Sequence, residues 1–243
     1  MLPSKTLTLD NAQEDNLPIV ALSPKKLQQI LGRTLVSGEI SLLHGKERSL
    51  LTLLTHFICT SIGISGQNVV YLDSGRNFSP IIIKKMSASL SKKESADVLS
   101  RISIGELYSL EDIKTISSQI DEVNSPSLIA LDNLTGLLNL SASPGKKGRQ
   151  RRLFAALEET RRLVNRTNVH VLITDHSTVD WQSGSFKPIG GNVVTHAVDS
   201  LSLITKLESE DVVNIKVERS PHVKAPAGLL IRLNHLGAFE MGG

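Results

Sequence analysis

Gly38 to Thr52 spans GEISLLHGKERSLLT, an apolar strand pattern that leads through a turn into a helical pattern. Its second half has the outline of a phosphate-binding loop, GxxxxGK[ST], in which backbone N–H groups surround phosphates and a lysine reaches the β- and γ-phosphates. Gly45 opens this outline and Thr52 stands where a magnesium-binding hydroxyl belongs. Leu50 and Leu51 replace the glycine and the lysine, however, and they carry no charge and crowd a turn that favours glycine. Taken alone, the match is uninformative, and its meaning depends on the segments that follow.

Downstream, apolar runs of strand length alternate with segments of helical periodicity. We predict strands at Val69–Asp73, Arg101–Ile104, Ser127–Asp132 and Val169–Thr174, and helices from about Ser79, over Leu110–Val123 and over Gln150–Asn165. This alternation predicts an α/β fold with a mostly parallel sheet covered on both faces. The C-terminal part alternates instead like antiparallel strands, at Leu201–Lys206, Val212–Arg219 and Gly228–Leu233.

The length and the polar start of the chain predict its organisation. A chain of 243 residues fits one large α/β domain with a sizeable core. The first residues, MLPSKTLTLDNAQEDNLP, are polar and carry no basic-plus-apolar signal pattern. We therefore expect residues 1–22 to form a flexible N-terminal arm and residues 23–243 to form the core domain.

Composition excludes several classes of function. The net charge of +3 and the pI near 9.0 are only mildly basic, so the position of the charges matters more than their sum. No apolar run is long enough to span a membrane. Cys59 lies in an apolar helical run and is expected to be a buried thiol in a reducing compartment. The 7 histidines form no HExxH or Cys/His cluster, so no metal site and no other cofactor is expected.

Several segments together resemble the ATPase core of the RecA/RadA strand-exchange recombinases, especially the archaeal and eukaryotic branch. They are GEISLLHG, LIALDNLTGLL (Leu128–Leu138), LITDH (Leu172–His176), PIGGNVVTHAVD (Pro188–Asp199) and VERSPH (Val217–His222). The segments come in the family's order, and PIGGN followed by THA is the most specific of them. The resemblance covers roughly Ser23 to Glu240. It implies a RecA-like P-loop NTPase fold, a mostly parallel central sheet flanked by helices, with a C-terminal antiparallel extension.

The resemblance also locates the groups that hydrolyse ATP in the family, and several differ here. Leu51 replaces the phosphate-binding lysine, Gly75 stands where a catalytic glutamate is expected, and His176 replaces a glutamine. Asp132 matches the magnesium-binding aspartate. Loss of the lysine removes a contact worth roughly 1.5–3 kcal/mol, and loss of the carboxylate removes a water-activating step worth about 10²–10⁴-fold. The resemblance therefore implies a pseudo-ATPase that is not an enzyme.

A vestigial nucleotide site would comprise Gly45, Arg48, Thr52 and Asp132. Two alternatives stay open for it. Arg48, or less favourably Lys46, could supply the missing cationic charge. We favour the other alternative, in which Asp132 and Thr52 persist as ordinary strand-end and helix-cap polar residues.

Recombinase cores hold DNA through two mobile loops, and the first corresponds here to Ser141–Arg152, SASPGKKGRQRR. This segment has no acidic residue, and its Ser, Pro and Gly residues predict a flexible loop. Its basic residues suit contacts with phosphates whose strength falls with salt: Lys146, Lys147, Arg149, Arg151 and Arg152. The alternative is a solvated surface loop without a ligand.

The second loop corresponds to Ser177–Pro188, STVDWQSGSFKP. Trp181 and Phe186 flank a glycine-serine segment beside Lys187, and aromatic side chains on a loop can stack on bases. The alternative is that Trp181 packs back onto the body as an anchor. The amides of the turn at Gly190, Gly191 and Asn192 could contact a phosphate, or the turn could simply join the loop to a helix.

These observations support three hypotheses. The first is a non-catalytic recombinase paralog that binds single- or double-stranded DNA and assists a RadA-type recombinase, or another paralog, in homologous recombination and repair. It would lie at the nucleoid in a cytoplasm or in a nucleus, with no membrane contact. The second is a RecA/KaiC-like regulatory module that acts through protein contacts with little DNA affinity. The third is a divergent ATPase that uses Arg48.

Overall fold

The computed structural model describes residues 17–120, 125–140, 145–181, 184–208 and 211–241. Its strands are β1 (Ile40–Gly45), β2 (Val69–Asp73), β3 (Ile102–Glu106), β4 (Leu128–Asp132), β5 (His170–Val179), β6 (Phe186–Pro188), β7 (Ser200–Lys206), β8 (Val212–Arg219), β9 (Ala227–Asn234) and β10 (Gly237–Glu240). Its helices are α1 (Lys25–Ile30), α2 (Arg48–Ile64), α3 (Pro80–Met86), α4 (Lys92–Ser100), α5 (Asp112–Gln119), α6 (Leu134–Leu140), α7 (Gly145–Thr167) and α8 (Gly191–Ala197).

The strands of the described chain form one mixed sheet in the order β10-β9-β8-β7-β1-β5-β4-β2-β3, with β6 paired to β5. The pairs from β7 through β1 to β3 are parallel. The pairs among β7, β8, β9 and β10 are antiparallel, as is the pair of β5 with β6. The predicted fold class, a mostly parallel sheet with an antiparallel C-terminal extension, is confirmed.

Helices cover both faces of the parallel part, which explains why its central strands are almost entirely apolar. Strands β1, β2 and β4 are buried along their whole length, as is typical of parallel strands covered on both sides. One core cluster joins α1, α2, α3 and α4 to the sheet, and a second joins α5, α6, α7 and α8 to the opposite face. The carboxyl ends of β1, β2, β4 and β5 therefore meet at one edge of the sheet, where the candidate nucleotide residues lie.

Two segments differ from the sequence-based expectation. The core begins earlier than residue 23, because Ile19, Val20 and Leu22 are buried and the Ile19 N–H donates to the Leu35 carbonyl at 2.8 Å. Residues 1–16 of the predicted arm lie outside the described residues. The loop predicted over 141–152 is wrong from residue 145 onward, since α7 begins at Gly145 and includes its basic residues.

Candidate functional site

The turn between β1 and α2 is shorter than the phosphate-binding outline requires. Strand β1 ends at Gly45 and α2 begins at Arg48, so the residues from Arg48 to Leu51 are helical. Leu51 is buried in the core at 1% exposure, and Leu50 is buried as well. The Leu50 and Leu51 N–H groups both donate to the Glu47 carbonyl, at 3.2 and 3.3 Å, so these two amides are already paired within the chain.

Gly45 is required by the packing of strands. A Cβ built on Gly45 would lie 2.3 Å from the carbonyl oxygen of Ile204 on the neighbouring strand β7. No side chain fits at that distance from a backbone atom. The first glycine of the predicted loop therefore has a structural reason to be glycine that is independent of any nucleotide.

Asp132 lies at the end of β4 as the centre of a buried hydrogen-bond cluster. Its Oδ2 accepts from the Thr52 hydroxyl at 2.7 Å and from the Tyr71 hydroxyl at 2.5 Å. Its Oδ1 accepts from the Thr174 hydroxyl at 2.8 Å, and Asp132 has no exposed surface. The fold thus brings together the predicted pair Thr52 and Asp132, and it satisfies both carboxyl oxygens with groups of the chain itself.

Arg48 lies over the position of the missing glutamate. A Cβ built on Gly75 would lie 2.3 Å from Nη2 of Arg48, so the guanidinium occupies the space into which a side chain at residue 75 would extend. The turn that carries Gly75 is held by Asp73, whose carboxyl oxygens accept backbone N–H bonds from Gly75, Asn77 and Phe78 at 2.9–3.0 Å. A cationic group therefore stands where the family resemblance places an anionic one.

His176 follows Asp175 at the same edge of the sheet. Burial, and next the nearby charge of Arg48, lower the pKa of His176. Its Nε2 atom is buried and has no hydrogen-bond partner among the described residues. The His176 imidazole thus lies close enough to Arg48 and Asp132 for the charges of both to act on it.

A groove of about 750 Å³ runs along the first turns of α2. Its lining combines apolar side chains with charged ones of both signs: Glu47, Arg48, Ser49, Leu50, Thr52, Leu53, Asn77, Ile82, Lys206, Asp211, Val213, Leu233, Asn234 and His235. Leu50, Leu53, Val213 and Leu233 give it an apolar floor. Two cationic side chains, Arg48 and Lys206, and two anionic ones, Glu47 and Asp211, line the groove, so its charge is mixed.

The turn before α8 is tied to the sheet by Asp175. The Gly190 N–H donates to Oδ2 of Asp175 at 2.9 Å, and the Thr135 hydroxyl donates to Oδ1. Burial raises the pKa of Asp175. The Gly190 amide is therefore already paired within the chain, which favours the reading in which this turn joins loop to helix. Gly191 has a φ of +62° and begins α8, and Asn192 is exposed.

A hydrogen-bond relay on His44 was missed by the sequence reasoning. His44 is fully buried in β1, its Nδ1 lies 2.8 Å from the Ser177 hydroxyl and its Nε2 lies 3.1 Å from Oε2 of Glu218. The relay links β5, β1 and β8 across the sheet. A histidine inside the apolar run ISLLHG was the one sequence signal for it, and its partners lie 133 and 174 residues away along the chain.

The basic residues predicted to contact DNA lie at the start of α7. Lys147, Arg149 and Arg151 are exposed, and among the described residues none of them forms an ion pair. Arg152 is half-buried and pairs with Glu111 at 3.6 Å, so its charge is partly balanced. Lys146 belongs to the same helix, and its side chain lies outside the described atoms. The helix fixes the spacing of these cations, which a flexible loop would not.

The second predicted loop is a β-hairpin made by β5 and β6. Trp181 at its turn is 97% exposed, which rules out the alternative in which this side chain packs back onto the body. Phe186 is half-buried in β6. Lys187 is exposed and pairs with Asp180 across the hairpin. The hairpin thus presents one large aromatic side chain to solvent beside a paired lysine.

Two further features are absent from the described residues. No helix of the described chain is long and apolar enough to cross a membrane. Within the same described ranges, no group of three or more His, Cys, Asp or Glu side chains could hold a metal ion.

The sheet order and the strand-turn-helix at its carboxyl edge define a RecA-like core. A crystal structure of the RadB recombinase superimposes with a TM-score of 0.71 over 90% of this chain and 97% of that chain, at 19% sequence identity. At this identity the likeness establishes the fold.

The sequence comparisons then identify the family. The Rad51 family model matches residues 14–232, and the chain therefore belongs to the Rad51 family. It is 25% identical over 229 residues to DNA repair protein RAD51 homolog 1 of Arabidopsis thaliana, covering 87% of this chain and 66% of the relative. It is 25% identical over 185 residues to DNA repair and recombination protein RadB of Thermoplasma acidophilum, covering 74% and 77%. The chain thus spans slightly less than two thirds of the RAD51 relative's length.

Proposed function

We propose that this chain is a Rad51-family pseudo-ATPase that binds DNA and assists a RadA-type recombinase, or another paralog, in homologous recombination and repair. The observation that carries the proposal is the start of α2 at Arg48. The residues that would have to surround a phosphate are helical there, and Leu51 lies in the core where the family has a lysine. On this proposal the chain works without nucleotide turnover, at the nucleoid or in a nucleus.

The remaining nucleotide residues support the same proposal. Asp132 already accepts three hydroxyl donors, so a magnesium ion would have to displace bonds that the fold has made. Gly75 offers no carboxylate to activate water, and the guanidinium of Arg48 lies over it. Binding and the chemical step are each weakened by a separate change, so no single residue compensates for both.

The DNA-binding part of the proposal rests on what α7 and the hairpin expose. Lys147, Arg149 and Arg151 are exposed cations on one helix and form no ion pair with another described residue, which suits contacts with the phosphate backbone. Trp181 adds an exposed aromatic face. The names of the matched relatives, DNA repair protein RAD51 homolog 1 and DNA repair and recombination protein RadB, support the process and the kind of partner.

The test is a titration of the protein against labelled single- and double-stranded oligonucleotides at several salt concentrations, with and without Mg-ATP. The variant Lys147→Ala/Arg149→Ala/Arg151→Ala should bind roughly a hundredfold more weakly, and its salt slope should fall by about 2 to 3. The control Lys84→Ala/Lys92→Ala/Lys93→Ala removes the same charge from exposed positions of α3 and α4, on the opposite face of the sheet. Both variants lower the formal net charge from +3 to 0, so the control shows the effect of net charge alone and should keep most of the wild-type affinity.

Other outcomes favour the other hypotheses. If the α7 variant and the control lose affinity equally, the α7 surface is not the DNA site. If no oligonucleotide binds at any salt concentration, the protein-contact module becomes the better hypothesis. The divergent ATPase is supported by one specific observation, the position of Arg48 over Gly75 beside His176. Binding of Mg-ATP that is lost in Arg48→Ala would favour it over the pseudo-ATPase.

A further inference from the structure

An exposed aromatic side chain lies among the cations of α7. Phe154 is 57% exposed, whereas the neighbouring Leu153 and Leu157 are buried at 2% and 3%. Residues spaced by three and four share one side of a helix, so Lys147, Arg151 and Phe154 form a single stripe that points away from the core. We name these three residues the α7 stripe.

We infer that Phe154 is a stacking platform for an unpaired base, and that the α7 stripe therefore binds single-stranded nucleic acid in preference to duplex. The inference rests on the proposed DNA binding and adds to it a residue and a class of strand. A flat aromatic side chain accepts the face of any base, so the contact does not depend on sequence.

The spacing of the stripe suits a strand that runs along the helix. Arg151 lies about 4.5 Å from Phe154 along the helix axis, and Lys147 lies about 6 Å further in the same direction. These intervals are close to the separation of successive phosphates in an extended single strand, so a base on Phe154 would place its neighbouring phosphates near the two cations. In a duplex the faces of the bases are already stacked on each other, and Phe154 could add nothing to the phosphate contacts.

The charges around Phe154 favour this partner over an apolar protein surface. A lone exposed aromatic side chain is common on protein surfaces and by itself indicates no partner. Here the exposed side of the helix carries Lys147 and Arg151 without an acidic residue before Glu158. A polyanion with flat apolar faces matches both features of the stripe.

The test compares two strands that have the same phosphates and differ in their bases. The probes are a thymine oligonucleotide and an abasic strand of equal length, and the variant Phe154→Leu removes the aromatic face but keeps an apolar side chain. Phe154→Leu should weaken thymine-strand binding roughly tenfold and leave abasic-strand and duplex binding unchanged. Phe154→Tyr, which keeps the aromatic face, is the matched control and should bind all three probes like the wild type.

Fluorescence can report directly on the stacking of a base against the aromatic side chain at residue 154. The chain has a single tryptophan, Trp181, so the double variant Trp181→Phe/Phe154→Trp carries its only indole on α7. Its emission should be quenched by the thymine strand and not by the abasic strand. Equal losses of affinity for both strands in Phe154→Leu, or no loss for either, would overturn the stacking inference while leaving the proposed DNA binding intact. Failure of the wild type to bind any probe would overturn both.

Discussion

The edge at Asp132 and the start of α7 both contain residue types that the family uses for its ligands, yet they differ in what those residues contact. At the edge, Thr52 and Asp132 bond to each other, and Leu51 is part of the core. On α7, Lys147 and Arg151 face solvent without a partner among the described residues. The difference teaches that residues of a ligand-binding type can use their bonding capacity within the chain, as at the edge, or leave it open to solvent, as on α7.

The variant Leu51→Lys should have the largest effect. It restores the lysine of the phosphate-binding outline at the position that Leu51 occupies. Leu51 is 1% exposed, so an ammonium group on this side chain would have to enter the apolar core. We expect a loss of roughly 4 kcal/mol in the free energy of unfolding and no gain of Mg-ATP affinity. Denaturant unfolding and calorimetric titration measure the two quantities.

The matched control is Leu51→Met, which conserves volume and should cost less than about 1.5 kcal/mol. If Leu51→Lys instead kept its stability and bound Mg-ATP, the turn between β1 and α2 would have to open readily. The edge would then be a dormant site, and the contrast with α7 would disappear.

The second prediction concerns the pH dependence of stability that the buried His170 causes. Burial lowers the pKa of His170 to about 4, its Nδ1 lies 2.7 Å from the Val36 carbonyl, and its Nε2 has no partner among the described residues. The unfolded chain takes up a proton near pH 6.5 and the folded chain does not until about pH 4. The contribution of His170 to the free energy of unfolding is thus fully present above pH 6.5. It is lost as the pH falls toward 4, by up to about 3 kcal/mol.

His170→Asn isolates that contribution, because its amide can still donate to the carbonyl and does not titrate. Burial also lowers the pKa of His56 and His176, so the wild type and the variant will both lose stability in acid. Between pH 7 and pH 4.5 the loss should be smaller in the variant. Parallel curves of unfolding free energy against pH for the two proteins would contradict the prediction.

The third prediction has the smallest expected effect and concerns an exposed residue of the β5–β6 hairpin. Trp181 is 97% exposed, so Trp181→Ala should change the free energy of unfolding by less than about 0.5 kcal/mol. If the hairpin contacts bases, single-strand affinity should nevertheless fall about tenfold in an oligonucleotide titration. Trp181→Phe keeps an aromatic face and should retain most of the affinity. Unchanged affinity in Trp181→Ala would limit DNA binding to α7.

Periodicity predicted most of the fold. The predicted strand at Val69–Asp73 is β2, and the one at Val169–Thr174 corresponds to the first half of β5, because apolar, β-branched runs of this length suit parallel strands covered on both faces. The family segments then predicted a mostly parallel sheet with an antiparallel extension, but not the order of its strands. The start of α7 at Gly145 could not be predicted in this way, since a run of Lys, Arg and Gly has no apolar period until Leu153 contacts the core.

Residue types predicted the members of the candidate site better than their contacts. The sequence singled out Thr52, Asp132 and Arg48, but not that the first two bond to each other or that Arg48 lies over Gly75. Such contacts depend on the relative placement of α2, β2 and β4, which no local pattern encodes. The relay on His44 was missed for the same reason.

The Asp132 cluster also has a consequence for the kinetics of folding. Its partners Thr52, Tyr71 and Thr174 are separated from it by 80, 61 and 42 residues, so the cluster can close only after α2, β2, β4 and β5 have assembled. Interactions completed that late are absent from the folding transition state and act on the unfolding rate. Asp132→Asn should therefore accelerate unfolding and leave the folding limb of a chevron plot nearly unchanged, so the Asp132 cluster would set how long the folded state lasts.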